Sequence, residues 1–231
     1  MTPNDLFNGL LEHALPTGPV LVVAPHPDDE LIGCGGALAA HRERGDLVRV
    51  LVVFDGALGD PDARFGGTAE YVSLRAREAL AGGALIGLDD YRFMGLAGGH
   101  RASALELRHG AHRIAQEAQR LGAQCIYAPT RGDAHLDHHQ VAVAVELALE
   151  QLGPAVRGWG YEVETPVTAD RLLPIDAWAA NKWAALREHA SQMAYRDLVD
   201  ASSRMARMRA ARIDGIEAAE AFERILPGRA G

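Results

Sequence analysis

The sequence predicts an α/β fold: a Rossmann-like domain with a mostly parallel sheet flanked by helices, and further helices towards its C-terminal end. Three observations carry this. Residues 20–23 and 47–54 are short apolar runs rich in valine and leucine, the second broken only by Arg49, the pattern of strands buried on both faces. A helix-length stretch separates them, and a strand–helix–strand unit of that size favours parallel pairing with a right-handed crossover. A third apolar run, residues 125–128, ends like the first in a segment crowded with histidine and aspartate.

Taken in order, residues 4–14 read as a short amphipathic helix stopped by Pro16-Thr17-Gly18-Pro19. Residues 20–24 form the first strand and 31–44 the helix after it. Gly33, Gly35 and Gly36 lower that helix's intrinsic stability, so close packing on the sheet is expected to require them. Gly45-Asp46 turns the chain into the second strand. Residues 55–68 are rich in Gly, Asp and Pro without a period, and a loop of that length in a compact domain is usually functional. Residues 70–87 read as a helix, 91–94 as a short strand and 101–121 as an amphipathic helix closed by Gly122. Strand 125–128 leads into a polar loop, 130–137, and a helix, 140–152. Residues 157–163 and 172–175 read as edge-type strands, and 176–194 and 196–225 as helical. There is no internal repeat or low-complexity linker, so residues 1–231 read as one domain, with a core at about 20–195 and a C-terminal helical segment at about 196–226.

Composition narrows the class. The 231 residues can bury a sizeable core without disulfides. Basic residues number 23 against 31 acidic, a net charge of −8, which argues against a nucleic-acid-binding surface. The basic cluster from Arg204 to Arg212 reads as a solvated helix face. Cys34 and Cys125 lack CxxC spacing and read as buried thiols, which favours a reducing compartment. The N-terminus lacks a signal-peptide pattern and no run is apolar enough to span a membrane, so a cytoplasmic location is expected. Gly33-Cys34-Gly35-Gly36 lacks the GxGxxG spacing of a dinucleotide loop.

The chemistry concentrates in two segments. His26-Pro27-Asp28-Asp29-Glu30 follows the first strand, and Arg131-Gly132-Asp133-Ala134-His135-Leu136-Asp137-His138-His139 follows the strand at 125–128. Ligands of open α/β sheets bind beyond the carboxyl ends of the strands, so both segments fall on one rim although they lie over a hundred residues apart. Adjacent aspartates beside a histidine repel one another unless a cation neutralises them. Two histidines and one carboxylate with an open position make a catalytic zinc-type site. His26 and His138 supply the nitrogens and one of Asp28 or Asp29 the oxygen, and the other aspartate is left as a base. Spacing alone does not divide these two roles. The competing reading of the first segment is a capped helix start, which explains one aspartate but not His-Pro before two acids. The second segment taken alone is also compatible with a solvated loop.

These residues resemble the PIG-L/LmbE-like zinc-dependent N-acetylglucosaminyl deacetylases. The resemblance spans about residues 20–223 and rests on the HPDDE run at 26–30 and His135-Leu136-Asp137-His138. Arg75-Ala76-Arg77-Glu78, Lys182 with Ser191-Gln192, and Ala219-Glu220-Ala221-Phe222 support it. The resemblance implies that His26, Asp29 and His138 bind the metal and that Asp28 is the general base. It implies that His135 stabilises the oxyanion or protonates the leaving amine, that Asp137 orients an imidazole, and that Arg75 contacts a sugar hydroxyl or phosphate. It implies Zn2+, with Fe2+ or another divalent ion as alternatives, and hydrolytic removal of an N-acetyl group by attack of metal-bound water. The partner implied is a small-molecule amino-sugar conjugate, with a homo-oligomer left open. One departure stands out: Phe93-Met94-Gly95-Leu96-Ala97-Gly98-Gly99 holds no acid where many members carry one, so the acceptor can differ from simple N-acetylglucosamine.

Two rivals keep the same residues: a metal-dependent esterase or amidase on another metabolite, and a non-catalytic metal- or sugar-binding module. Intact Asp28 and His135 argue against the second. Arg75 could instead pair with Glu78 along its helix. His109, His112 and His139 read as surface or boundary residues, and Trp178 and Trp183 as core anchors.

Overall fold

A computed structural model describes residues 15–227; the helix expected at 4–14 lies outside them. Seven strands form one sheet in the order β3-β2-β1-β4-β5-β7-β6. They are β1 (Val20–Ala24), β2 (Val48–Phe54), β3 (Asp90–Leu96), β4 (Cys125–Pro129), β5 (Arg157–Tyr161), β6 (Arg171–Pro174) and β7 (Ala219–Ile225). The helices are α1 (Asp29–Glu43), α2 (Thr68–Leu85), α3 (Ala104–Leu121), α4 (Leu136–Leu152), α5 (Asp176–Arg187), α6 (Ala190–Met193) and α7 (Leu198–Ala210). The five strands β1 to β5 pair in parallel.

Alternation along the central strands divides the core. Val20, Val22, Val50, Val52 and Tyr127 face one layer, with Leu31, Leu38 and Ala79 from α1 and α2. Leu21, Val23, Leu51, Val53 and Ile126 face the other, against Ile114 of α3 and Val145 of α4. Apolar burial on both faces is what makes these runs continuous rather than alternating in the sequence. Strand order reverses at β1, which has β2 on one side and β4 on the other. That switch point is where α/β sheets open a crevice for ligands.

Close packing does require the α1 glycines. A Cβ on Gly33 would lie 2.2 Å from the Tyr161 ring, and one on Gly36 would lie 2.6 Å from Ile175. Behind Gly36 a buried ion pair ties three distant segments together. Lys182 Nζ donates to Glu220 Oε1 (2.7 Å) and to the Ile32 carbonyl (2.8 Å). The Gly36 and Ala37 amides donate to the two oxygens of the same carboxylate.

Three expectations need correction. Residues 196–225 are not all helical, because α7 ends at Ala210 and 219–225 form β7, antiparallel to both β5 and β6. Alanine and glutamate favour a helix locally, but this segment sits where two strands need a hydrogen-bonding partner, and tertiary context overrides propensity. The same pairing places β5 in the sheet interior, so 157–163 is not an edge strand and its regular part ends at Tyr161. Finally, α4 begins at Leu136 rather than near 140, because His135 caps it. Among the described residues no helix is long and apolar enough to cross a membrane.

Replacing Lys182 with Met leaves Glu220 charged and buried without its cation. Urea denaturation should show a loss of about 3 kcal/mol, and a loss below about 1 kcal/mol would show that the two backbone amides alone satisfy the carboxylate.

Candidate metal centre

The pairing of β1 with β4, register Val22 with Tyr127, brings the two polar segments side by side at the carboxyl end of the sheet. His26 stands on the turn leaving β1, while His138 is in the first turn of α4. Asp29 opens α1. The three donor atoms converge: His26 Nδ1 lies 3.2 Å from Asp29 Oδ2, and His138 Nε2 lies 3.3 Å from the same oxygen. All three lie within 4.8 Å of one another. Ligands about 2.1 Å from a tetrahedral ion stand roughly 3.4 Å apart, so the two imidazole–carboxylate spacings match a zinc-type ion.

The electrostatics favour a cation there. Burial disfavours charge on His26, but Asp137 and Asp29 override it and raise its pKa to about 9. His138 is likewise opposed by burial and lifted to about 10 by Asp29 and Asp133. Burial works against Asp29 as a carboxylate too, yet His138 and His26 hold its pKa well below the ordinary range. In the metal-free protein, protons on the imidazoles supply the positive charge that an ion would supply.

Each imidazole ligand has a carboxylate behind it. His26 Nε2 donates to Asp137 Oδ2 (3.1 Å), and the Gly99 amide holds that carboxylate (3.0 Å). His138 Nδ1 lies 3.1 Å from Asp133 Oδ1, off the alignment of a good hydrogen bond, so the attraction is chiefly ionic. The His135 and Glu164 amides fix Asp133. Such carboxylates orient metal-binding histidines and raise their basicity. The sequence points to Asp137 in that role but not to Asp133. Nothing in the spacing of Asp133 separates it from the other polar residues of its loop.

Asp28 caps α1 with φ 147°, a left-handed conformation that costs a non-glycine residue about 1–3 kcal/mol. Its neighbours hold it there. Arg75 Nη2 donates to Asp28 Oδ2 (2.9 Å) and to the Pro27 carbonyl (2.8 Å), and Nη1 donates to the Gly56 carbonyl (3.3 Å). Arg75 therefore pairs with Asp28, not with Glu78, which accepts from Ser191 instead. Burial raises the Asp28 pKa to about 6 against the opposing pull of Arg75. Burial also keeps Glu30 protonated up to about pH 8, and Tyr91 donates to it.

His135 is exposed at the cleft. Its Nδ1 accepts from the Asp137 amide (3.2 Å), so the neutral ring carries its proton on Nε2. Burial and then the neighbouring imidazoles lower its pKa, which keeps it neutral. His26, Asp28, Asp29, Arg75, His135, Asp137 and His138 all line one cleft of about 270 Å³. His139 points away and meets the Arg131 carbonyl.

Residues 21–149, more than half of the chain, match the PIG-L family, described as GlcNAc-PI de-N-acetylase. The chain belongs to this family. It is similar to 2'-N-acetylparomamine deacetylase of Streptomyces fradiae, at 34% identity over 158 residues that cover 62% of this chain and 57% of that protein. The chain thus spans little more than half of that relative's length. A solved structure of a conserved protein from Thermus thermophilus is 27% identical with a TM-score of 0.75, covering 92% of this chain and 96% of that one. The N,N'-diacetylchitobiose deacetylase of Pyrococcus horikoshii, 21% identical, shares the fold at a TM-score of 0.77 over 98% of this chain and 94% of that one.

The surroundings of the ligands can be tested at two residues. Asp133→Asn should weaken zinc binding about 10- to 100-fold by competition with a chromogenic chelator, and unchanged affinity would remove Asp133 from the metal's support. His189, between α5 and α6, is buried with neither ring nitrogen partnered. Burial and then Arg75 lower its pKa to about 3. The unfolded chain therefore takes up that proton first, and stability should fall as pH drops from about 6.5 towards 3. His189→Leu should lose about 2 kcal/mol less than the parent between pH 6.5 and 4.5, and equal losses would mean that His189 titrates normally.

Proposed function

We propose that this chain is a divalent-metal-dependent hydrolase that removes the N-acetyl group from an amino-sugar conjugate, with His26, Asp29 and His138 as ligands and Zn2+ or Fe2+ as the ion. One observation carries the reading: a three-donor N,O,N set shares a cleft with a carboxylate and an imidazole outside that set, Asp28, held by Arg75, and His135. A binding module has no use for such a pair. The named activity of the Streptomyces relative supports the same reading.

When bound, the ion would polarise the acetamide carbonyl and ease deprotonation of water. Asp28, basic near neutrality and held by Arg75, takes the proton from the attacking water. His135 presents its Nε2–H as a hydrogen-bond donor to the developing oxyanion, and the proton that Asp28 took from water passes to the departing amine, releasing amine and acetate. Asp137 keeps the His26 ring oriented. Both Arg75 Nη atoms are engaged and its Nε is buried, so Arg75 serves by holding Asp28 rather than by the substrate contact implied for it.

The missing acid near Gly98 has a steric counterpart, since a Cβ at Gly98 would lie 2.5 Å from Asp137 Oδ2. Asp55, Glu164 and Arg196 line the same cleft and offer other polar contacts for the sugar and its aglycone.

Acetate release from a panel of N-acetylated amino sugars on different aglycones tests the reaction. Asp28→Asn should lower kcat about 10²- to 10⁴-fold while one metal ion per chain is retained. Full turnover in that variant would remove Asp28 as the base, and hydrolysis of acyl esters but no acetamide in the panel would replace deacetylation with esterase activity.

A further inference from the structure

A second cavity of about 390 Å³, within the size range of small-molecule sites, lies on the opposite side of the loop that walls the metal cleft. Loop residues Gly98 and Gly99 face the metal cleft, whereas Leu96, Ala97 and His100 face this cavity. Its interior is apolar, formed by Val53, Phe54 and Met94 from the sheet, Ile114 from α3 and Val141 from α4.

Gly110 lies in the middle of α3, where glycine costs about 1 kcal/mol relative to alanine. Unlike the α1 glycines, it is not demanded by close packing: a Cβ there would meet only Ala144, at an ordinary 3.8 Å. The glycine leaves room inside the cavity wall.

Two side chains of opposite charge line the cavity, Arg113 and Glu106. His109 and Arg113 are exposed and line it, and among the described residues no ion-pair partner is found for Arg113. The carboxylate there, Glu106, is already engaged. It accepts from the Ser103 amide (2.8 Å) and hydroxyl (2.7 Å) at the N-cap of α3, and His100 lies 3.6 Å from it. An apolar chamber with an unpaired guanidinium at its exposed side suits an amphipathic anion.

The geometry points to a binding site for a monocarboxylate with an apolar tail, the tail between the sheet and helices α3 and α4 and the carboxylate at Arg113. The occupant is a molecule separate from the substrate, because the loop at 96–102 stands between the two cavities. Gln140 ties that loop from behind, donating to the His100 carbonyl and accepting from the Ala102 amide.

The test is calorimetric titration of the metal-loaded protein with octanoate and with 1-octanol, in excess acetate so that the metal cleft cannot account for carboxylate binding. Octanoate should bind one per chain, about fivefold tighter than octanol, the worth of an exposed ion pair. Arg113→Gln, a surface change that leaves the fold intact, should erase that preference, and Gly110→Leu should abolish both bindings by filling the chamber. Absence of octanoate binding, equal affinity for the alcohol in the parent protein, or undiminished binding in Gly110→Leu would each overturn the site. Because the readout is binding, none of these outcomes bears on the hydrolytic reading.

Discussion

Three carboxyl groups in succession can be buried at one strand end only where each is balanced by positive charge or kept neutral by its proton. Asp28, Asp29 and Glu30 are all buried, and each is balanced differently. Asp29 faces two imidazoles across a gap suited to a metal ion. Asp28 is paired with the buried Arg75. Glu30 stays protonated beside Tyr91. One peptide run thus carries a carboxylate facing two imidazoles, a carboxylate paired with a guanidinium and a neutral acid, because three separate elements of the fold reach each residue in turn.

The remainder of the fold holds those partners in place. Arg75 reaches Asp28 from α2, and α2 is tied by Glu78 to Ser191 in α6. Lys182 and Glu220 join α5 and β7 to α1, the helix that Asp29 opens. The motifs around Arg75, Lys182, Ser191 and Glu220, dispersed in sequence, are the ties that connect the periphery to the turn at 26–30. Their residues are charged or polar because each secures backbone amides or a second charge inside a dry core, where an unpaired polar group is costly.

The central sheet was legible because strands buried on both faces must be continuously apolar. The convergence of His26, Asp29 and His138 was legible because few other arrangements justify histidine beside adjacent aspartates at a strand end. The C-terminal strand was not legible, since an alanine- and glutamate-rich segment has no strand signature until its partners β5 and β6 are in place. Asp133 was equally hidden: its role depends on which nitrogen of His138 faces away from Asp29, a matter of ring orientation. Arg75 stands out in the sequence by its motif, but its contact with Asp28 depends on how α2 crosses the turn.

The sequence by itself determined the fold class, the rim on which the chemistry gathers and the types of donor available, because these follow from apolar periodicity and from residue chemistry. Only the tertiary structure decided that Asp29 faces the two imidazoles while Asp28 meets Arg75, and which carboxylate stands behind which imidazole. It alone placed a second cavity behind the same loop. Those outcomes depend on distances of about 3 Å between segments remote in sequence, and such distances exist only once β1 and β4 lie side by side.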